Sequence, residues 1–314
     1  MKQGAVLSAV LFCLYIDGLI KKLRKKREGC WFKNSYVGII VYADDIVLLS
    51  PSIDGLQRMI NDCFHYAHEH NLEFSTHILA QKSKTKCIAF LVNKRTLPIL
   101  KLNEKDLPWV NTVKHLGTTI TNTSASILNQ DILEKRAQYI AKNNQLLQEF
   151  FFADPTTKVL LNNIFNTSFY GSPLWDHSSS EFTKFEKTWN VSMRLMLSLP
   201  RDTHRYFLEP LSETLHMTSS LRKRFLTFKE RLKESQKRIL RKILREVEHN
   251  TCSTTGRNTR RFIRQDFRKP YNMVPDGKSW QILIARDLIS SRSNNDGFLS
   301  TQQLNEILNF ICAS

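Results

Sequence analysis

Two adjacent aspartates interrupt an otherwise apolar run. Val37-Gly38-Ile39-Ile40-Val41 leads into Tyr42-Ala43-Asp44-Asp45, and Ile46-Val47-Leu48-Leu49 follows. The β-branched and aliphatic residues on both sides read as strand, so residues 36–49 have a strand pattern with the acidic pair at its centre. Such a segment is suited to burial, and an unpaired carboxylate is costly to bury, so a compensating cation is expected. Hard divalent ions such as Mg²⁺ take carboxylate oxygens and share them with phosphates. The pair therefore asks for a sheet as its platform and points to metal-dependent phosphoryl transfer.

The surrounding pattern is mixed. Residues 6–27 read as a helix, buried at first and basic at its end. Ser52 is placed to cap a helix from about Ile53 to His70, whose Leu56, Ile60, Cys63, Phe64 and Ala67 fall at helical spacing. Short β-type pieces follow at 87–91, 97–102 and 113–120, punctuated by Pro98, Pro108 and Gly117. The first 120 residues thus form an α+β unit. From Ser124 onward nearly everything reads as helix: 127–152, 158–170, 180–199, and one long amphipathic helix over 221–247. The apolar side of that last helix carries Leu221, Phe225, Phe228, Leu232, Ile239, Ile243 and Val247. Its other side carries basic residues, among them Arg222, Lys223, Arg224, Lys229, Arg231, Lys237, Arg238, Arg241 and Lys242. Residues 290–297 read as a loop before a last short helix.

The formal net charge of +17 needs an explanation, and a polyanionic partner is the first candidate. A merely basic surface and an anionic membrane surface are the alternatives. The apolar run from Ala5 to Ile16 suits a signal peptide in length, but no small-residue cleavage pattern follows it. It is also short for a membrane span. A buried core helix ranks first and a targeting segment second, so no membrane partner is expected. None of the six cysteines shares a C-x-x-C spacing, so they read as reduced core residues with no structural zinc. A reducing, intracellular location (nucleus or cytoplasm) fits, not secretion. His65, His68 and His70 read as a solvated helix end rather than as metal ligands.

Four elements carry a specific resemblance. Lys2-Gln3-Gly4-Ala5-Val6-Leu7-Ser8, followed by Leu11-Phe12, resembles the Gln-Gly element of reverse transcriptases in its non-LTR (LINE-type) version. Tyr42-Ala43-Asp44-Asp45 resembles their catalytic turn. Lys84-Thr85-Lys86 before Phe90 is similar to a lysine-containing piece downstream, and His115-Leu116-Gly117 resembles the element that supports the primer strand. Each alone is weak. Together, in the family's order and spacing over roughly 120 residues, they are specific.

The resemblance implies an α+β fold: a partial polymerase palm, an antiparallel hairpin sheet with packed helices, over 1–121. A mostly α-helical thumb-like region over 122–200 and a basic helical extension over 201–314 follow. It implies RNA-directed DNA polymerisation with two Mg²⁺ ions, an RNA template, a DNA primer or RNA–DNA hybrid, and a dNTP. Asp44 becomes the metal ligand and Asp45 its supporting carboxylate. Gln3, Gly4, Tyr42 and Lys84 fall near the template and nucleotide, with Lys82 and Lys86 competing for the role of Lys84. Leu116 and Gly117 lie against the primer. Arg222, Lys223, Arg224, Arg231, Lys237, Arg238, Arg241 and Lys242 are candidates for sequence-independent phosphate contacts. The family draws a further essential aspartate from a strand upstream of its Gln-Gly element, and no residue of this sequence can be assigned to it. Asp17 reads as structural. The chain alone is therefore expected to be inactive. The alternative is a non-catalytic nucleic-acid-binding remnant.

Overall fold

The computed structural model describes residues 8–76, 83–90, 96–122, 126–166 and 169–265. The chain is α+β. It divides into two compact units, Met1–Lys114 with Thr121–Thr123, and His115–Ile120 with Ser124–Ser314.

In the first unit α1 (Ser8–Lys26) is followed by the short strands β1 (Trp31–Phe32) and β2 (Ser35–Tyr36). Next come β3 (Ile39–Tyr42), β4 (Asp45–Leu48) and α2 (Ile53–Glu69). The Ser52 hydroxyl accepts the Gly55 N–H at 3.2 Å, the N-cap its sequence position calls for. Ile16, Leu19 and Leu23 of α1 pack against Met59, Cys63 and Tyr66 of α2. Spacings of three and four residues put each trio on one helix face. The partly buried Ile39, Val41, Ile46 and Leu48 close this core from the hairpin side.

A second small core gathers Ile60 and Cys87 with Leu100, Leu102 and Leu107. The last three belong to β5 (Leu100–Leu102) and β6 (Lys105–Leu107). The strand expected at 87–91 reduces to an isolated parallel bridge between Cys87 and Trp109; residue 91 lies outside the described residues. The β-type piece expected over 113–120, punctuated by Gly117, is a hairpin, β7 (Thr112–His115) and β8 (Thr118–Thr121). Leu116 and Gly117 both have positive φ (47° and 73°), the sign that a two-residue type I′ turn needs.

Among its described residues the second unit is mainly helical beyond that hairpin: α3 (Asn129–Glu149), α4 (Pro155–Asn166) and α5 (Ser180–Met196). They continue into α6 (Leu208–Ser212), α7 (Met217–Glu234), α8 (Arg238–His249) and α9 (Thr254–Gln265). Asp154 accepts the Thr157 N–H at 2.9 Å ahead of Pro155, which occupies the first turn of α4. One core runs from Ile132 and Tyr139 through Trp175, Phe185 and Met193 to Leu208 and Leu221.

The long helix expected over 221–247 is broken. Ser235 is extended (φ −56°, ψ 133°), its hydroxyl accepts the Lys237 N–H at 3.2 Å, and the Arg241 guanidinium donates to its carbonyl. These bonds satisfy backbone groups where the helix stops. They let α8 fold back on α7, where the buried Lys229 pairs with Glu248 at 2.5 Å. Among the described residues no helix is long and apolar enough to cross a membrane. The loop at 290–297 and the last helix lie outside the described residues.

Candidate active site

β3 and β4 pair antiparallel, with Ile39 opposite Leu48, Ile40 opposite Val47, Val41 opposite Ile46 and Tyr42 opposite Asp45. Side chains alternate between faces, so the register sends the Ile39–Leu48 and Val41–Ile46 pairs toward the core. The Ile40–Val47 and Tyr42–Asp45 pairs take the other face. The two-residue turn is Ala43-Asp44, and Ala43 has φ 48°, a left-handed conformation unusual for a residue with a Cβ. The hairpin base is tied down by Leu49 N–H to Gly38 O at 2.7 Å and Cys30 N–H to Leu49 O at 2.8 Å.

Asp44 and Asp45 are both exposed. Contrary to expectation, burial forces no counter-ion on them, because the inward positions of this apolar run are filled by Ile39, Val41, Ile46 and Leu48. The turn lifts Asp44 clear of the sheet, and the register turns Asp45 outward. What the hairpin provides is two carboxylates on one rigid projection, beside a Tyr42 ring that is 64% exposed. Among the described residues no three His, Cys, Asp or Glu side chains come together as a metal-holding group. Two carboxylates on an open turn fit Mg²⁺, which is held by one or two carboxylates and fills its other positions from water and phosphate oxygens.

Gln3, Gly4 and Lys82 lie outside the described residues. Lys84 is exposed, and Lys86 is half-buried. The segment carrying Lys84 is anchored by Thr85, whose N–H and hydroxyl both reach Ser75 O, at 3.2 and 2.9 Å. Leu116 and Gly117 form the exposed turn of the β7–β8 hairpin, counted with the second unit. Tyr42, Asp44 and Asp45 thus share one hairpin, while Lys84 and the Leu116–Gly117 turn sit on separate elements.

The basic residues of 222–242 do not form one solvated face. Arg222, Lys223 and Arg224 are half-buried. The Arg222 guanidinium donates to Phe262 O at 3.2 Å and lies over the Phe262 ring. Arg224 lies over Phe169, and burial lowers its pKa from the usual arginine value. Arg231, Lys237 and Arg238 are exposed; Arg241 and Lys242 are half-buried.

Sequence reasoning missed a buried polar cluster in the second unit. Asp131, 1% exposed, accepts the Thr119 N–H at 3.0 Å and the Trp175 indole N–H at 2.8 Å. Asn258 joins the backbone of Trp175 and His177, at 2.8 and 3.2 Å, and Arg257 pairs with Asp176 at 2.7 Å. The isolated polar residues Asp131 and Asn258 gave no periodic signal, because their partners come from distant elements.

A comparison with curated proteins finds no match to the chain. Residues 1–120, which contain the acidic hairpin and the Leu116–Gly117 turn, match the family model described as reverse transcriptase (RNA-dependent DNA polymerase).

Proposed function

We propose that this chain is a carboxy-terminal portion, partial palm, thumb and basic extension, of a reverse transcriptase of the non-LTR (LINE-type) class. The observation that carries this is the exposed Asp44–Asp45 turn on a core-anchored hairpin, inside the segment matching the reverse transcriptase model. Asp44 and Asp45 would hold Mg²⁺, and their place on an anchored hairpin keeps both carboxylates preorganised. When bound, the metal stabilises the charge that develops on the attacking 3′-oxygen and the leaving phosphate. The exposed Tyr42 ring flanks the incoming nucleotide. The Leu116–Gly117 turn supports the primer, and the exposed Lys84 meets nucleotide phosphates. Arg231, Lys237 and Arg238 meet the backbone of an RNA–DNA hybrid, an affinity that falls as salt rises. Action in the nucleus or cytoplasm belongs to the same proposal. The free Cys13, Cys30, Cys63, Cys87 and Cys252 support it, since unpaired thiols persist in reducing compartments.

The polypeptide of residues 1–314 by itself does not extend a primer. The reason is the family's dependence on a further aspartate, to which no residue of this chain is assigned. A primer-extension assay on a homopolymer template with Mg²⁺ tests it. The expected result is incorporation no higher than that of Asp44→Ala; robust incorporation abolished by Asp44→Ala overturns it.

A further inference from the structure

The Leu116–Gly117 turn does not stand alone. A Cβ built on Gly117 would lie 3.5 and 3.7 Å from ring carbons of Tyr170, so the Tyr170 ring edge flanks the turn. Yet Tyr170 is 62% exposed, leaving most of the ring open. From α3, the Lys135 ammonium lies 3.4 Å from the Gly117 carbonyl. An aromatic ring, an ammonium and an exposed backbone turn therefore share one patch of the second unit.

The ring is held there by its neighbours in the chain. Phe169, with φ 34°, is buried in the core against Tyr139, Trp175 and Phe185. Gly171, with φ 84°, approaches Thr118 so closely that a Cβ would meet its hydroxyl at 2.9 Å. Thr118 and Thr119 are themselves buried, and Thr119 is bonded to Asp131 and Glu134 of α3 at 3.0 and 2.7 Å. The backbone on both sides of Tyr170 is thus pinned, and the ring is presented at little ordering cost. The α3 carboxylates nearest in sequence to Lys135 are engaged: Asp131 by Thr119 and Trp175, Glu134 by Thr119 and Gln130. Among the described residues Lys135 has no carboxylate partner, and an ammonium has three donors to satisfy.

We infer that Tyr170 and Lys135 contact the primer strand beside the Leu116–Gly117 turn, the ring packing on a sugar and the ammonium meeting a phosphate. Contacts to sugar and phosphate fix the position of a paired strand without reading its sequence. The inference rests on the reading of the chain as a reverse transcriptase portion.

The test is hybrid binding by the full chain, followed by fluorescence anisotropy over a salt series. The probe is a DNA primer annealed to an RNA template, with 4-thiothymidine near the primer 3′ end. Tyr170→Ala is expected to weaken binding about fivefold, the scale of one truncated contact residue, and Tyr170→Phe to leave it within about twofold. Lys135→Gln is expected to lower the slope of log K against log salt by about 1. Photo-cross-links from the wild-type complex are expected in the peptide containing Tyr170. Unfolding midpoints of the variants check that the fold is kept, as an exposed ring allows. Wild-type binding with unchanged variants and cross-links elsewhere overturns this inference and leaves the proposed function standing. Loss of binding in Tyr170→Phe overturns the packing role. Failure of the wild-type chain to bind the hybrid removes both.

Discussion

Two non-glycine residues hold left-handed backbone at the turns that the functional reading uses: Ala43 at φ 48° and Leu116 at φ 47°. Such positions are sustained only where neighbouring structure dictates them. For Ala43 it is the β3–β4 ladder, and for Leu116 the β7–β8 hairpin. At the same scale Asp131 ties distant elements together, because its carboxylate joins β8 to the indole of Trp175 from inside the core. Asp131→Ala would leave a buried backbone N–H and a buried indole N–H without acceptors. A loss of about 3 kcal/mol in urea unfolding is expected, at the scale of hydrogen bonds to a charged acceptor. Asp131→Asn keeps one acceptor oxygen and should lose less. Sequence could name Asp44 and Asp45, whose setting is local. It could not name Asp131, whose partners lie 12 and 44 residues away.

Among the elements, the α7–α8 pair departs most from the periodic pattern. Apolar spacing continues from Leu221 to Val247 as though one helix ran through, because α7 and α8 each bury a face and the phase is nearly kept across the break. Ser235 stops the helix, and the return brings Glu248 to the buried Lys229. Removing one partner of such a pair costs more than replacing both. Glu248→Gln is expected to cost about 3 kcal/mol in urea unfolding by leaving an ammonium buried and unpaired, while Lys229→Met with Glu248→Leu should come close to neutral. By contrast, α2 was legible almost to its ends, since its cap at Ser52 and the spacing of Leu56, Ile60, Cys63, Phe64 and Ala67 are written locally. The β7–β8 hairpin was half legible: Gly117 marked a turn, but the left-handed conformation of Leu116 carries no sequence signature.

Across the whole molecule, the charge of +17 is not all spent on a surface. Arg222, Arg224 and Lys229 work inside the second unit, so the affinity for a polyanion is left to fewer groups than composition suggests. Two buried imidazoles make the same unit sensitive to acid. His177 sits among Phe182, Phe225 and Phe262, and His216 bonds Asn190 and Thr218; burial pushes both pKa values down to about 4. The unfolded chain, with histidines near 6.5, binds more protons between those values. This contribution to stability is therefore complete above about pH 6.5 and is lost as pH falls toward 4, by up to about 3 kcal/mol for each histidine. Unfolding midpoints measured from pH 7.5 to 4.5 should fall steadily, and His177→Phe should flatten the lower part of that profile.

The sequence by itself determined the α+β order, the hairpin around Tyr42-Ala43-Asp44-Asp45, the helical second half and the resemblance to reverse transcriptases. All of these are written in spacing and in short contiguous motifs. Only the tertiary structure decided that the acidic pair is exposed, that the basic helix folds back on itself, and that Tyr170 and Lys135 stand beside Gly117. Burial and contact between residues far apart in the chain depend on how elements pack, and no local pattern encodes that.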